Sequence, residues 1–173
     1  MAKHLNDLFL HTLKDVHFAE QAITKALPKM AKAAHSPDLK KAFERHLEQT
    51  HQHIARLDQV FKLINTKPQN TPCEAIKGIL KEGDEIVEEF SASPALDAGL
   101  IAAAQAVEHY EIARYGALKC WAGELGMEDA VALLEQTLEE EKATDVALTK
   151  LARSSVNLAA EGDHKSHAKR ASN

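Results

Sequence analysis

Four long stretches of this 173-residue chain carry apolar residues at intervals of three, four and seven. The first runs Phe9, Val16, Ile23, Leu27, Met30 and the second Phe43, Leu47, Ile54, Leu57, Phe61, Ile64. A later stretch sets Ile101 and Tyr115 in one phase, and the last runs Leu134, Leu138, Leu148. Residues so spaced share one face of an α-helix, and each such face must be buried against another. Four of them close on one another as a helical bundle. Alanine, leucine, glutamate and lysine, all good helix formers, dominate the chain. With Gly 7 and Pro 5, turns are few and elements long.

Punctuation sets the boundaries. Ser36-Pro37, Thr71-Pro72 and Ser93-Pro94 each offer a capping hydroxyl followed by a proline suited to the first helical turn. Gly126 marks a helix stop. Five helices are predicted over about 4–35, 37–66, 72–90, 94–124 and 127–156. Pro28 lies inside the first, where the apolar pattern continues to Met30, so it kinks or loosens that helix without ending it. The segment Glu74–Phe90 spans roughly 25 Å as a helix, enough to carry the chain from one end of a bundle to the other. The second and fourth helices then run parallel, and the fold class is an all-α four-helix bundle with one extra crossover helix. The domain is predicted over 1–156, with 157–173 a polar, basic, disordered tail.

The net charge of −5 and pI near 6.1 disfavour nucleic-acid binding by the body of the protein. Neither a membrane-length apolar run nor a signal-peptide pattern is present, so a cytoplasmic protein is expected. Cys73 and Cys120 lie far apart in no metal-binding pattern and read as reduced thiols.

The apolar faces are interrupted by acids. Glu20 sits in phase with Val16, Ile23 and Leu27. Glu108 lies midway between Ile101 and Tyr115 at intervals of seven. Glu141 and Asp145 continue the alternation of Leu134, Leu138 and Leu148. A buried carboxylate costs several kcal/mol unless it is protonated, paired or bound to a cation. Carboxylates from facing helices, joined by histidine, are how bundles hold two iron or manganese ions. The second helix supplies an E-x-x-H pair, Glu48 and His51, although its apolar phase through Leu47 and Ile54 also admits Thr50 and His53 as the inward residues.

Four segments carry a resemblance: Ala19–Ile23, His46–His51, Leu100–Gly116 and Thr137–Asp145. On these the chain resembles the YciF-type ferritin-like family of bacterial stress-associated proteins. The resemblance implies a ferritin-like bundle, a homodimer and a dinuclear iron or manganese centre. Its ligands would be Glu20, Glu48 with His51, Glu108 as the bridging glutamate, and Glu141 with Asp145, with no organic cofactor. The implied function is that of a stress protein handling oxygen, peroxide or iron. The competing expectation is a metal-free dimeric scaffold whose core carboxylates are protonated or paired.

Overall fold

The computed structural model describes residues 3–161, and every regular element in that range is helical. The order is α1 (Leu5–Ala33), α2 (Pro37–Leu63), α3 (Glu74–Phe90), α4 (Leu96–Glu124) and α5 (Glu128–Leu151). A π-helical turn (Ala152–Val156) and a short α6 (Asn157–Ala160) prolong α5. The helical path therefore extends past residue 157, where the tail was expected to begin. The basic stretch from 162 onward lies outside the described residues.

Helix ends follow local chemistry. Ser36 Oγ accepts the Leu39 amide with Pro37 at the first helical position, as the Ser-Pro signal predicts. The other two signals act slightly upstream of their helices. Ser93 Oγ accepts the Ala95 amide within a turn, and α4 begins at Leu96. The Thr71 amide is taken by the Lys14 carbonyl, and α3 begins at Glu74. The α2 and α4 C-termini close alike. Asn65 (φ 52°) and Gly126 (φ 70°) adopt the left-handed conformation. The amides of Thr66 and Met127 then return to the carbonyls of Phe61 and Ala122. α1 runs through Pro28 unbroken.

α1 packs on α2 and α4, α5 packs on α2 and α4, and α3 lies across α1 and α4. Two apolar clusters give the helix directions. One gathers Leu27 of α1, Phe43 of α2, Leu100 of α4 and Leu148 of α5. The other gathers Phe9 of α1, Phe61 of α2, Leu118 of α4 and Leu134 of α5. The early half of α2 therefore lies at the same end of the bundle as the early half of α4. These two helices run parallel, and each is antiparallel to α1 and α5. Such an arrangement requires a return connection along the bundle, which the 65–73 segment and α3 provide. Ile76 of α3 is fully buried in the first cluster. Asp97 ties the ends together, its two oxygens accepting the amides of His35 at 2.8 Å and Ser36 at 2.7 Å. The molecule is the four-helix bundle with crossover helix that the sequence predicts. Between its two apolar clusters lies a polar layer.

A candidate metal centre

Each bundle helix contributes acid or imidazole to that layer at mid-length. Glu20 comes from α1, His46 and His53 from α2, Glu108 and Glu111 from α4, and Glu141 from α5. All six side chains are buried, and Glu20, His53 and Glu141 have no exposed surface. Their donor atoms form two groups that share Glu141. His46, Glu108, Glu111 and Glu141 form one, and Glu20, His53 and Glu141 the other. Within each group one ligand atom per residue lies within 4.8 Å of every other.

The contacts are close but poorly aligned. His53 Nδ1 is 3.0 Å from Glu141 Oε1 and 3.5 Å from Glu20 Oε1. His46 Nε2 is 3.1 Å from Glu108 Oε1 and 4.0 Å from Glu141 Oε2. Yet His53 Nδ1 and His46 Nε2 have no hydrogen-bond partner in proper geometry. Nor do Glu20 Oε2, Glu108 Oε2, His46 Nδ1 or both oxygens of Glu111 and of Glu141. These are all the buried side-chain polar atoms lacking a partner among the described residues. Native interiors leave few such groups, so their confinement to one layer needs a common cause. A cation set among them satisfies carboxylate and imidazole lone pairs together. The donor set suits iron or manganese: oxygen-rich, with one nitrogen to each group.

Outer contacts orient these side chains. His53 Nε2 lies 2.9 Å from Glu140 Oε2, an acceptor, so Nε2 carries a proton and Nδ1 is the nitrogen that faces Glu20 and Glu141. Glu140 is itself held by Arg56 through two bonds of 2.8 Å, and Arg56 also donates to Thr137 Oγ1 at 3.1 Å. Tyr115, fully buried, donates its hydroxyl to Glu20 Oε1. Thr50 bonds back to the His46 carbonyl at 2.9 Å and brings no group to the cluster.

Burial and crowding shape the charges. Burial raises Glu108 to about 7 against the pull of His46, helped by neighbouring Glu141. Glu111 is held well above the ordinary carboxyl range by burial and by the charges of Glu141, Glu20 and Glu108. Burial opposes protonation of His53, but Glu141 and Glu20 outweigh it and hold the imidazole at about 10. His46 is raised in the same way, Glu108 and Glu141 overcoming burial. Burial also pushes the Tyr115 hydroxyl upward, reinforced by Glu20 and Glu111. Glu140 is lowered despite partial burial because Arg56 and His53 face it.

Of the residues the sequence nominated, Glu20, Glu108 and Glu141 meet in the layer. Glu48 and His51 do not, because both are exposed on the outer face of α2. The inward face there is His46, Thr50, His53 and Leu57, spaced by four, three and four. His53, which the apolar phase of α2 also admits, is the inward residue, and His46 and Glu111, which the sequence reading does not nominate, join it in the layer. Asp145 is half-buried and turns outward along α4, where it accepts from Gln105 Nε2 at 2.8 Å and approaches His109 Nε2 at 3.4 Å. Cys73 and Cys120 are free thiols, Cys73 buried against the Tyr110 hydroxyl and Cys120 exposed.

Comparison with known sequences and folds places the chain in a family. A domain family of unknown function, DUF892, matches residues 4–161. The chain belongs to that family. It is 48% identical over 160 residues to protein YciF of Escherichia coli K12, covering 92% of this chain and 96% of that one. The structure of the E. coli stress protein YciF superposes with a TM-score of 0.86 at 47% identity, covering 90% of this chain and 99% of that chain. YcfI of Rhodopseudomonas palustris, whose description as a structural protein is provisional, superposes at 0.82 with 50% identity over 85% of this chain and 94% of that one. A Xanthomonas campestris protein at 22% identity shares the fold, with a TM-score of 0.71 over 90% of this chain and 95% of that one. The buried cluster described above thus sits within a YciF-like stress protein fold.

Proposed function

We propose that this protein is a dinuclear iron or manganese protein that handles oxygen, peroxide or iron under stress. The confinement of partnerless buried carboxyl and imidazole atoms to one mid-bundle layer carries this reading. Glu20, His53 and Glu141 would hold one ion, His46, Glu108, Glu111 and Glu141 the second, with Glu141 shared. Such a pair of ions, when bound, would supply electrons to oxygen or peroxide. The protein's own groups do the rest. Glu140 fixes the His53 tautomer, Arg56 fixes Glu140, and Tyr115 fixes one oxygen of Glu20. The two apolar clusters flank the layer on either side. Homodimerisation and a cytoplasmic setting belong to the same proposal. Among the described residues no helix is long and apolar enough to cross a membrane.

The experiment is anaerobic ferrous titration followed by peroxide or oxygen. The proposal expects saturable iron uptake and then an optical change whose amplitude tracks the bound iron. Iron that binds but reacts with neither oxidant leaves the metal site standing and removes the redox function.

A second reading has its own observation. His53 and His46 are both held protonated by their carboxyl neighbours, which compensates much of the layer's charge without a metal. On that reading the bundle is a metal-free scaffold. It predicts that Glu20→Ala combined with Glu108→Ala leaves cellular stress tolerance intact, whereas the metal reading predicts its loss.

A further inference from the structure

The interface between α2 and α5 differs on the two sides of the polar layer. Toward the C-terminal end of α2 it is locked by the contacts of Arg56 with Glu140 and Thr137. Toward the N-terminal end of α2 a cavity of about 140 Å³ enters between the same helices. Arg45, Gln49, Ala143, Thr144 and Ala147 surround its mouth, each exposed or half-buried. Ile23, Leu27, Met30, Phe43, Val107 and Leu148 form its walls. His46 and Glu108 also line it, at 4% and 1% exposure.

Three observations define what fits there. First, the walls are aliphatic and aromatic, and a cavity of about 150 Å³ with such walls takes up a molecule of benzene's size. Second, between the polar mouth and His46 the walls are apolar, so a hydrated cation crossing that stretch would shed its water uncompensated there, and the cavity is a poor route for an ion. Third, His46 Nδ1 and Glu108 Oε2 are buried and partnerless, so an occupant with one hydrogen-bonding oxygen is favoured over a bare hydrocarbon.

We propose that this cavity is a binding chamber for a small neutral organic molecule, with an apolar body of about benzene's size and one oxygen head directed to His46 and Glu108. Its role as the chamber for the centre's substrate rests on the metal reading above, whereas the binding itself does not. The proposal narrows the oxidisable or reducible partner from inorganic ions to organic molecules of this class. Ala104, buried on the wall, and Ala147, exposed at the mouth, set the size limit.

The test uses the full chain, treated with chelator, with phenol as the probe and benzene as its headless counterpart. Binding is read by calorimetry and by the methyl resonances of Ile23, Leu27, Met30, Val107 and Leu148. Saturable phenol binding that shifts these methyls, exceeds that of benzene, and weakens at least ~10-fold in Ala104→Leu is the expected result. If Ala104→Leu melts abnormally, Ala147→Trp on the surface takes its place with the same expected loss. Absence of saturable phenol binding by the wild type, or binding that the variant retains, overturns the chamber. Benzene binding as tightly as phenol overturns the role given to His46 and Glu108. Iron uptake is measured on separate aliquots. Phenol binding without iron uptake leaves the chamber and removes the metal reading, and the reverse pattern removes the chamber alone.

Discussion

Glu111, which the proposed centre would use as a ligand, burdens the metal-free fold. Both its oxygens are buried and partnerless, and it is 1% exposed. In metal-free protein, replacing such a group with an apolar residue of similar volume removes the cost of burying it unsatisfied, about 1–3 kcal/mol. Glu111→Leu is therefore expected to melt higher than wild type after chelation and to lose the stabilisation that metal brings. Paired thermal melts with and without metal check both halves. A variant that melts lower than wild type in the chelated state would show that Glu111 already has a partner. Glu140 acts one step away, through His53. Glu140→Gln keeps the shape but removes the charge that fixes the imidazole, and metal affinity should fall about 10–100-fold. Competition with a coloured chelator measures that fall, and the circular dichroism spectrum should be unchanged.

At the scale of elements, the links between helices are few and specific. Asp97 satisfies two amides in the α1–α2 turn, so Asp97→Ala should destabilise by about 1–3 kcal/mol in denaturant unfolding. Gly126 at φ 70° closes α4, and Gly126→Ala should destabilise by about 1–2 kcal/mol by the same measure. These elements were legible in the sequence because apolar spacing and Ser-Pro or Gly punctuation act locally. The residues of the polar layer were legible only where acid and apolar phase coincide unambiguously, as at Glu20 and Glu141. In α2 the half-buried Leu47 and Ile54 pulled the apparent stripe away from its true centre. The fully buried residues there are Thr50 and His53, which a hydrophobic pattern reads as interruptions. In α4 the strict interval of seven found Glu108 but passed over Glu111, although Ala104, Glu108, Glu111, Tyr115 and Leu118 alternate by four and three. Asp145 continued the α5 pattern correctly in phase, but Gln105 and His109 of α4 offered it partners outside the layer. Pattern gives direction from the helix axis, not the depth set by a neighbouring helix.

For the whole molecule, the protons held in the polar layer make stability depend on pH, and a bound metal would oppose that dependence. Glu108 has its folded value raised to about 7 from 4.5, so its contribution is fully present below 4.5 and fades as pH rises through 7. His53 is raised from 6.5 to about 10, so its contribution is full below 6.5 and fades as pH rises through 10. Both signs agree: chelated protein should lose stability progressively from about pH 4.5 to 10, Glu108 acting up to about 7 and His53 from 6.5 upward. Metal competes with those same protons, so the stabilisation it confers should grow over the same range. Thermal melts at stepped pH, with and without manganese, test the divergence. Parallel curves would mean the metal does not displace these protons.

The central claim is that the mid-bundle layer is a dinuclear metal site. It is tested most directly by elemental mass spectrometry on protein loaded with ferrous or manganous ion and desalted, for wild type and for Glu20→Ala with Glu108→Ala. The account predicts about two ions per wild-type chain and near none in the double variant. Wild type that retains neither ion, or a double variant that retains as much as wild type, would contradict it.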